Sequence, residues 1–225
     1  METPRFVITI GRQFGSGGRE LGRRLADLFQ IPYYDKELIA EASKESGLDP
    51  ECFEKADEQA PSTLMHALAT SLMMGGGAMR SQGNALAGEN IFKFQSDVIH
   101  EVARMGSCVI VGRCADYILR NEPLCISTFI YASEADRIAR IMRCHGAQSP
   151  KEAIDMMRKI DKKRAAYYDF YTDKSWGAAT SYDLCIDSSV LGIDRTAELL
   201  RSYTEQRIAT AAAQPGRPEP EEPAR

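Results

Sequence analysis

No stretch of this sequence comes near the roughly 18 uninterrupted apolar residues that a membrane-crossing helix needs. "METPR" runs straight into the strand-like "FVITI" and leaves no room for a leader peptide. The expectation is a cytoplasmic protein that does not meet a membrane. The six cysteines (Cys52, Cys108, Cys114, Cys125, Cys144, Cys185) contain no CxxC pair, and several sit in apolar runs such as "SCVIVG", so they read as reduced buried thiols. His66, His100 and His145 show no metal-ligand spacing. Lys and Arg number 28 against 32 Asp and Glu, a net charge of −4 that gives no global reason to expect nucleic acid. No internal repeat is visible.

What is present is an ordinary globular balance, 44% hydrophobic and 27% charged over 225 residues, enough for one α/β domain with an insert. Phe6 to Ile10 reads as a buried strand. Gly18 to Phe29 reads as a helix with Leu21, Leu25 and Leu28 on one face. "IPYYD" (31–35) is a short strand ending at Asp35. Helices are predicted over about 36–46, 50–58 and 62–74, a mobile glycine-rich loop over 75–88, and a helix over about 89–105. "SCVIVGR", "CISTFIYA" (125–132) and "YDLCIDSS" (182–189) are further strands. "SEAD" opens a helix over 133–145, and Ser149-Pro150-Lys151-Glu152 has the cap, first-turn proline and glutamate of another helix start. Asp194 is expected to cap a last helix ending near 212. The tail 213–225, with four prolines in its last twelve residues, is expected to be disordered.

Strands alternating with helices imply a parallel sheet covered on both faces, with ligands beyond the carboxyl ends of the strands. Gly11–Gly18, Asp35, Gly112–Arg113 and Ser133 all fall at that edge. In "GRQFGSGGRE", Gly15, Gly17 and Gly18 let backbone N–H groups converge on an anion, and the following helix adds its positive end. Against GxxxxGK[ST], Ser16 and the glycines are kept, but Gly18 stands at the lysine position and Arg19 at the hydroxyl position. Arg12 and Arg19 are the candidates for the missing cation.

Arg113, directly after a strand and a glycine, points to the same edge and suits an anionic partner. From Arg137 to Arg164 there are nine Lys or Arg against three Asp or Glu. Arg137, Arg140 and Arg143 are three apart, and Arg158, Asp161 and Arg164 repeat the spacing. A solvated face, a phosphate-binding lid and a nucleic-acid patch all remain open for this segment, with "AAYYDFY" (165–171) as possible stacking platforms for single strands.

The ordered set "FGSGG", "YYD", "VGRCAD", "YASEADRIAR", "RKIDKKR" and "YDLCIDSSVLGID" resembles the cytidylate kinase-like family, relatives of bacterial cytidylate kinase within the P-loop nucleoside monophosphate kinases. The resemblance covers residues 5 to about 200. It implies a P-loop three-layer α/β/α fold over one domain, 1–212, with a helical insert at about 36–95 and a lid at about 144–175. It implies ATP and Mg2+ as cofactors, nucleotides and not nucleic acid as partners, and phosphoryl transfer to a nucleoside monophosphate, CMP or dCMP first.

On the same resemblance, Gly15–Arg19 would cradle the donor phosphate, Asp35 and Arg113 would serve the acceptor, and Arg137 and Arg140 would grip the donor. Arg158, Asp161 and Arg164 would belong to the lid and close over the transferring phosphoryl, with Asp161 at the substrate, and Ser188 and Ser189 would lead the adenine-holding loop. The sequence departs from the family's relatives at Gly18, at Cys114 (aspartate there, with Asp116 two further on here) and at Glu41, where arginine is usual. Those departures leave room for two other readings, a nucleotide-binding sensor with little turnover and a kinase of another small molecule.

Overall fold

The computed structural model describes residues 4–35 and 81–213, the backbone alone over 81–91. The helices expected over 36–46, 50–58 and 62–74, most of the insert, Cys52 and the tail from 214 lie outside the described residues.

Five strands, β1 (Val7–Arg12), β2 (Tyr33–Tyr34), β3 (Cys108–Val111), β4 (Cys125–Tyr131) and β5 (Leu184–Asp187), form one parallel sheet in the order β2-β3-β1-β4-β5. The helices are α1 (Gly18–Phe29), α2 (Ser81–Met105), α3 (Ala115–Ile118), α4 (Glu134–His145), α5 (Pro150–Tyr171) and α6 (Ser188–Ala213). Near-continuous apolar strands fit a sheet buried on both faces. Ile8, Ile10, Val109, Val111, Ile126 and Ile130 meet Leu21 and Leu25 of α1 and Leu200 of α6 on one side. Val7, Cys108 and Ile110 meet Ile99 of α2 and Ile118 of α3 on the other. The site is set by β1 and β3 ending together, with Ile10 opposite Val111.

The structure differs from the sequence expectation in three elements. Residues 81–88 continue α2 rather than forming a loop: glycines at 83 and 88 each cost about 1 kcal/mol relative to alanine, and a 25-residue helix absorbs that. β1 runs on to Arg12 because β4 pairs with it as far as Arg12↔Ile130. The last helix begins at Ser188 and breaks at Gly192 (φ 72°, ψ 175°), and Asp194 pairs with Arg24 at 3.2 Å. Among the described residues no helix is long and apolar enough to cross a membrane, and the five described cysteines are free thiols.

Candidate active site

The loop between β1 and α1 takes its shape from two glycines. Gly15 (φ 79°) and Gly17 (φ 80°) occupy left-handed backbone that other residues adopt only under strain. Space excludes a side chain as firmly: a Cβ on Gly15 would lie 2.9 Å from the Arg137 carbonyl oxygen, and one on Gly17 would lie 2.5 Å from Ile193 Cδ1. The first helical bond of α1 runs from Leu21 N–H to Gly17 O at 2.9 Å. The N–H groups of Gly18, Arg19 and Glu20 therefore have no acceptor within the helix, and no side chain caps it. Open amides at a positive helix end form an anion site.

Side chains from three distant elements hold this loop. Ser188 Oγ donates to Ser16 O at 2.7 Å and to Tyr131 O at 3.2 Å. Arg140 Nη1 donates to Gly15 O at 3.2 Å, and Ser16 Oγ is buried and donates to Gln13 O at 2.9 Å. Phe14 is clamped through both of its backbone groups. Its N–H donates to Asp161 Oδ1 at 2.7 Å, its carbonyl accepts from Arg137 Nε at 2.7 Å, and Arg137 Nη2 closes the ring onto Asp161 Oδ2. Arg137 is buried and Asp161 nearly so.

Beside the loop lies a pocket under the ends of β1 and β3. Four cations, Arg12, Arg113, Lys163 and Arg164, line it with the rings of Tyr167, Tyr168 and Trp176. Gly112, Arg113 and Cys114 follow one another at φ 83°, 61° and 54°. Two consecutive non-glycine residues in that region store about 1–3 kcal/mol each, and the turn they make carries Arg113 to the pocket wall. Burial lowers the Arg12 pKa well below its ordinary value, and the charges of Arg164, Arg113 and Arg19 lower it further. Cations predominate in the lining. Asp116 also lines the pocket and accepts from Tyr168 Oη at 2.6 Å. Burial raises its pKa, and the tyrosine hydrogen bond opposes the shift only in part.

On the β2 side, buried Asp35 accepts from Tyr33 Oη at 3.1 Å and lies 3.5 Å from Arg19 Nε and 3.9 Å from Arg23 Nη2. Tyr33 in turn has its pKa pushed up to about 12, by burial and by the charge of Asp35.

The model of the cytidylate kinase-like family matches residues 7–190. The chain belongs to the cytidylate kinase-like family. A crystal structure of an uncharacterized protein from Eubacterium ventriosum ATCC 27560 shares 30% identity with this cytidylate kinase-like chain at a TM-score of 0.68, over 89% of this chain and 99% of that one. Shikimate kinase from Bacteroides thetaiotaomicron shares the fold at a TM-score of 0.53 with 14% identity, over 90% of this chain and 99% of that one. No curated protein matches. The fold is the α/β architecture of P-loop kinases, a parallel sheet with helices on both sides.

Within this cytidylate kinase-like fold the expected site residues separate into groups. Gly15, Ser16, Gly17, Gly18, Arg19 and Arg140 gather at the loop. Arg12, Arg113 and Arg164 gather at the pocket. Arg137 and Asp161, expected at the donor and the substrate, instead support the loop from behind, because the Phe14 peptide needs partners where it passes between α4 and α5. Ser188 likewise turns its hydroxyl to loop carbonyls. Arg158 is exposed on α5 and does not line the pocket.

The aromatics of 165–171 are largely engaged within the fold. Tyr171 stacks on Phe92 at 4.1 Å, Tyr167 donates to Gln95 Oε1 at 3.1 Å, and of the four only Phe170 is largely exposed. Lys163 falls within the basic segment already singled out, whereas Trp176, in "DKSWG", carried no signal in the sequence.

Proposed function

We propose that this chain moves the terminal phosphoryl group of ATP onto the phosphate of a nucleoside monophosphate, with CMP and dCMP the first candidates. One observation supports this most. Arg12 borders the glycine loop at Gly18 and also lines the neighbouring pocket with Arg113, Lys163 and Arg164. Two polyanions that must exchange a phosphoryl group repel each other, and a row of cations between them offsets the repulsion as charge develops. The first-turn amides of α1 and Arg140 would hold the donor. Arg113, Lys163 and Arg164 would hold the acceptor phosphate, with the tyrosine and tryptophan rings beside its base. A phosphate oxygen of the acceptor forms the new bond to phosphorus as the bond to the donor's bridging oxygen breaks, leaving two diphosphates. The acceptor oxygen is already deprotonated, so positioning and charge suffice and no general base is required.

P-loop kinases in general use ATP with Mg2+. The phosphate cradle fits the nucleotide, but these residues do not fit a protein-held Mg2+. Arg19 stands where the loop hydroxyl belongs, and Ser16 Oγ is buried against Gln13. The inward use of Arg137, Arg140 and Arg164 favours nucleotides over nucleic acid as partners. A cytoplasmic setting goes with this reading.

The second reading, a nucleotide-binding protein with little turnover, draws on Gly18. Incubating the full chain with ATP, Mg2+ and a panel of nucleoside monophosphates separates the two. A diphosphate product supports the kinase. Tight ATP binding with no turnover on any acceptor supports the sensor. Steeply salt-dependent oligonucleotide binding, insensitive to ATP, would overturn both.

A further inference from the structure

Positions 12 and 18 compete for one volume. A Cβ on Gly18 would stand 2.6 Å from Arg12 Cβ and 3.0 Å from Arg12 Cγ. The first distance is shorter than carbon atoms tolerate, so a side chain at 18 excludes one at 12, that of Arg12 included. The Arg12 stem therefore crosses the first turn of α1, over the residue that carries lysine in an ordinary phosphate loop. Its guanidinium ends at Gly112, where a Cβ would meet Arg12 Nη1 at 2.3 Å. Gly112, at φ 83°, is thus the seat of that guanidinium as well as the start of the turn that presents Arg113.

Resting on the kinase reading above, we propose that the phosphate-binding cation of this site has moved from the first turn of α1 to the end of β1. Arg12 stands in for the side chain that Gly18 lacks, and its guanidinium bridges the donor's terminal phosphoryl and the acceptor anion.

Three observations lead there. Arg12 is the residue that both packs on the loop helix and lines the pocket. Its side chain has no hydrogen bond or ion pair among the described residues, whereas the other candidate, Arg19, lies 3.5 Å from Asp35 on the β2 side. The neighbouring charges of Arg164, Arg113 and Arg19 act against that of Arg12, which an arriving polyanion reverses. An arginine suits the bridging position better than a lysine. Its planar fork presents five donors and can engage oxygens of two groups at once, where an ammonium is a point charge.

The test is an exchange between the two positions in the full-length chain, read by calorimetric MgATP affinity and by single-turnover transfer to CMP. The variants are Arg12→Ala, Arg12→Gly, Gly18→Lys, the double variant Arg12→Gly/Gly18→Lys, and Lys151→Ala as an exposed control, each checked by its urea midpoint. Arg12→Ala is expected to weaken MgATP about 10- to 100-fold, the scale of a lost charged hydrogen bond, and to slow transfer further, with its urea midpoint near wild type. Gly18→Lys alone is expected to be impaired by the clash with Arg12. The double variant is expected to bind MgATP more tightly than Arg12→Gly, because loss of the Cβ at 12 frees the volume and the ammonium returns to its usual place.

Wild type that binds and transfers while Arg12→Ala matches it overturns the proposal and leaves the kinase reading standing. A folded double variant no better than Arg12→Gly overturns the shared-volume argument. Wild type that takes up no nucleoside triphosphate overturns both the proposal and the reading beneath it.

Discussion

Arg137 and Phe14, 123 residues apart, are joined by a 2.7 Å hydrogen bond from the Arg137 Nε to the Phe14 carbonyl oxygen, and Asp161 accepts the N–H of the same Phe14. With side-chain exposures of 8% and 17%, Arg137 and Asp161 form a buried pair. Removing one member of such a pair strands the other and costs about 3–5 kcal/mol. Arg137→Ala is therefore expected to lower the urea midpoint strongly, and Asp161→Asn less, because the amide keeps an acceptor oxygen. The position in sequence suggested a ligand contact, for which turnover would fall and stability would not. A variant with full stability and lost turnover would restore that role.

Gly15 supplies a second test of the loop. Gly15→Ala adds a Cβ that meets a backbone oxygen and Ile141 Cγ1 and Cδ1, each at 2.9 Å, on a backbone held at φ 79°. Left-handed strain and overpacking together predict a loss of about 2–4 kcal/mol. The Arg137 carbonyl belongs to α4 and cannot turn aside as a side chain would. Thermal denaturation measures the loss; an unchanged midpoint would mean that the loop has a different shape.

Local chemistry was legible in the sequence because its partners are near in the chain. Ser133 Oγ accepts from Asp136 N–H and Ser149 Oγ from Glu152 N–H, both at 3.2 Å, as the two helix starts foretold. The glycine loop and the strand-end arginine at 113 were legible for the same reason. Long-range commitments were not. Spacing three apart places Arg137, Arg140 and Arg143 along one side of α4, yet Arg137 is buried, Arg140 lies on the loop and Arg143 is exposed. Nothing in the periodicity tells how far round the helix its neighbours reach. The same holds for Gly18, which reads as a missing lysine until Arg12 is seen to fill the space.

Ser188 tests how the loop is tied to the far side of the sheet. Its hydroxyl is buried between Ser16 O and Tyr131 O, at 2.7 and 3.2 Å. Ser188→Ala takes the donor from both carbonyls, and the expected loss is about 1–2 kcal/mol, read by urea unfolding. MgATP affinity should fall less than in Arg12→Ala, since the hydroxyl supports the loop instead of touching the nucleotide. A larger drop in affinity than in stability would put Ser188 in direct contact with the donor.

Asp116 gives the fold a dependence on pH whose sign can be worked out. Burial raises its folded pKa above the ordinary carboxylate value of 3.8, so the folded chain holds this proton more tightly than the unfolded chain does. The stabilisation that the proton brings is full below the ordinary value and is lost as pH rises through the raised folded value. Asp116→Asn keeps an oxygen for the Tyr168 hydroxyl, now bonded to Asp116 at 2.6 Å, and has no charge to bury. The variant is expected to match wild type near pH 4 and to melt at a higher temperature than wild type at pH 7 to 8. Melting curves across that range decide it, and a difference between the two proteins that does not change with pH would mean that the carboxyl is solvated and ionises as an exposed one does.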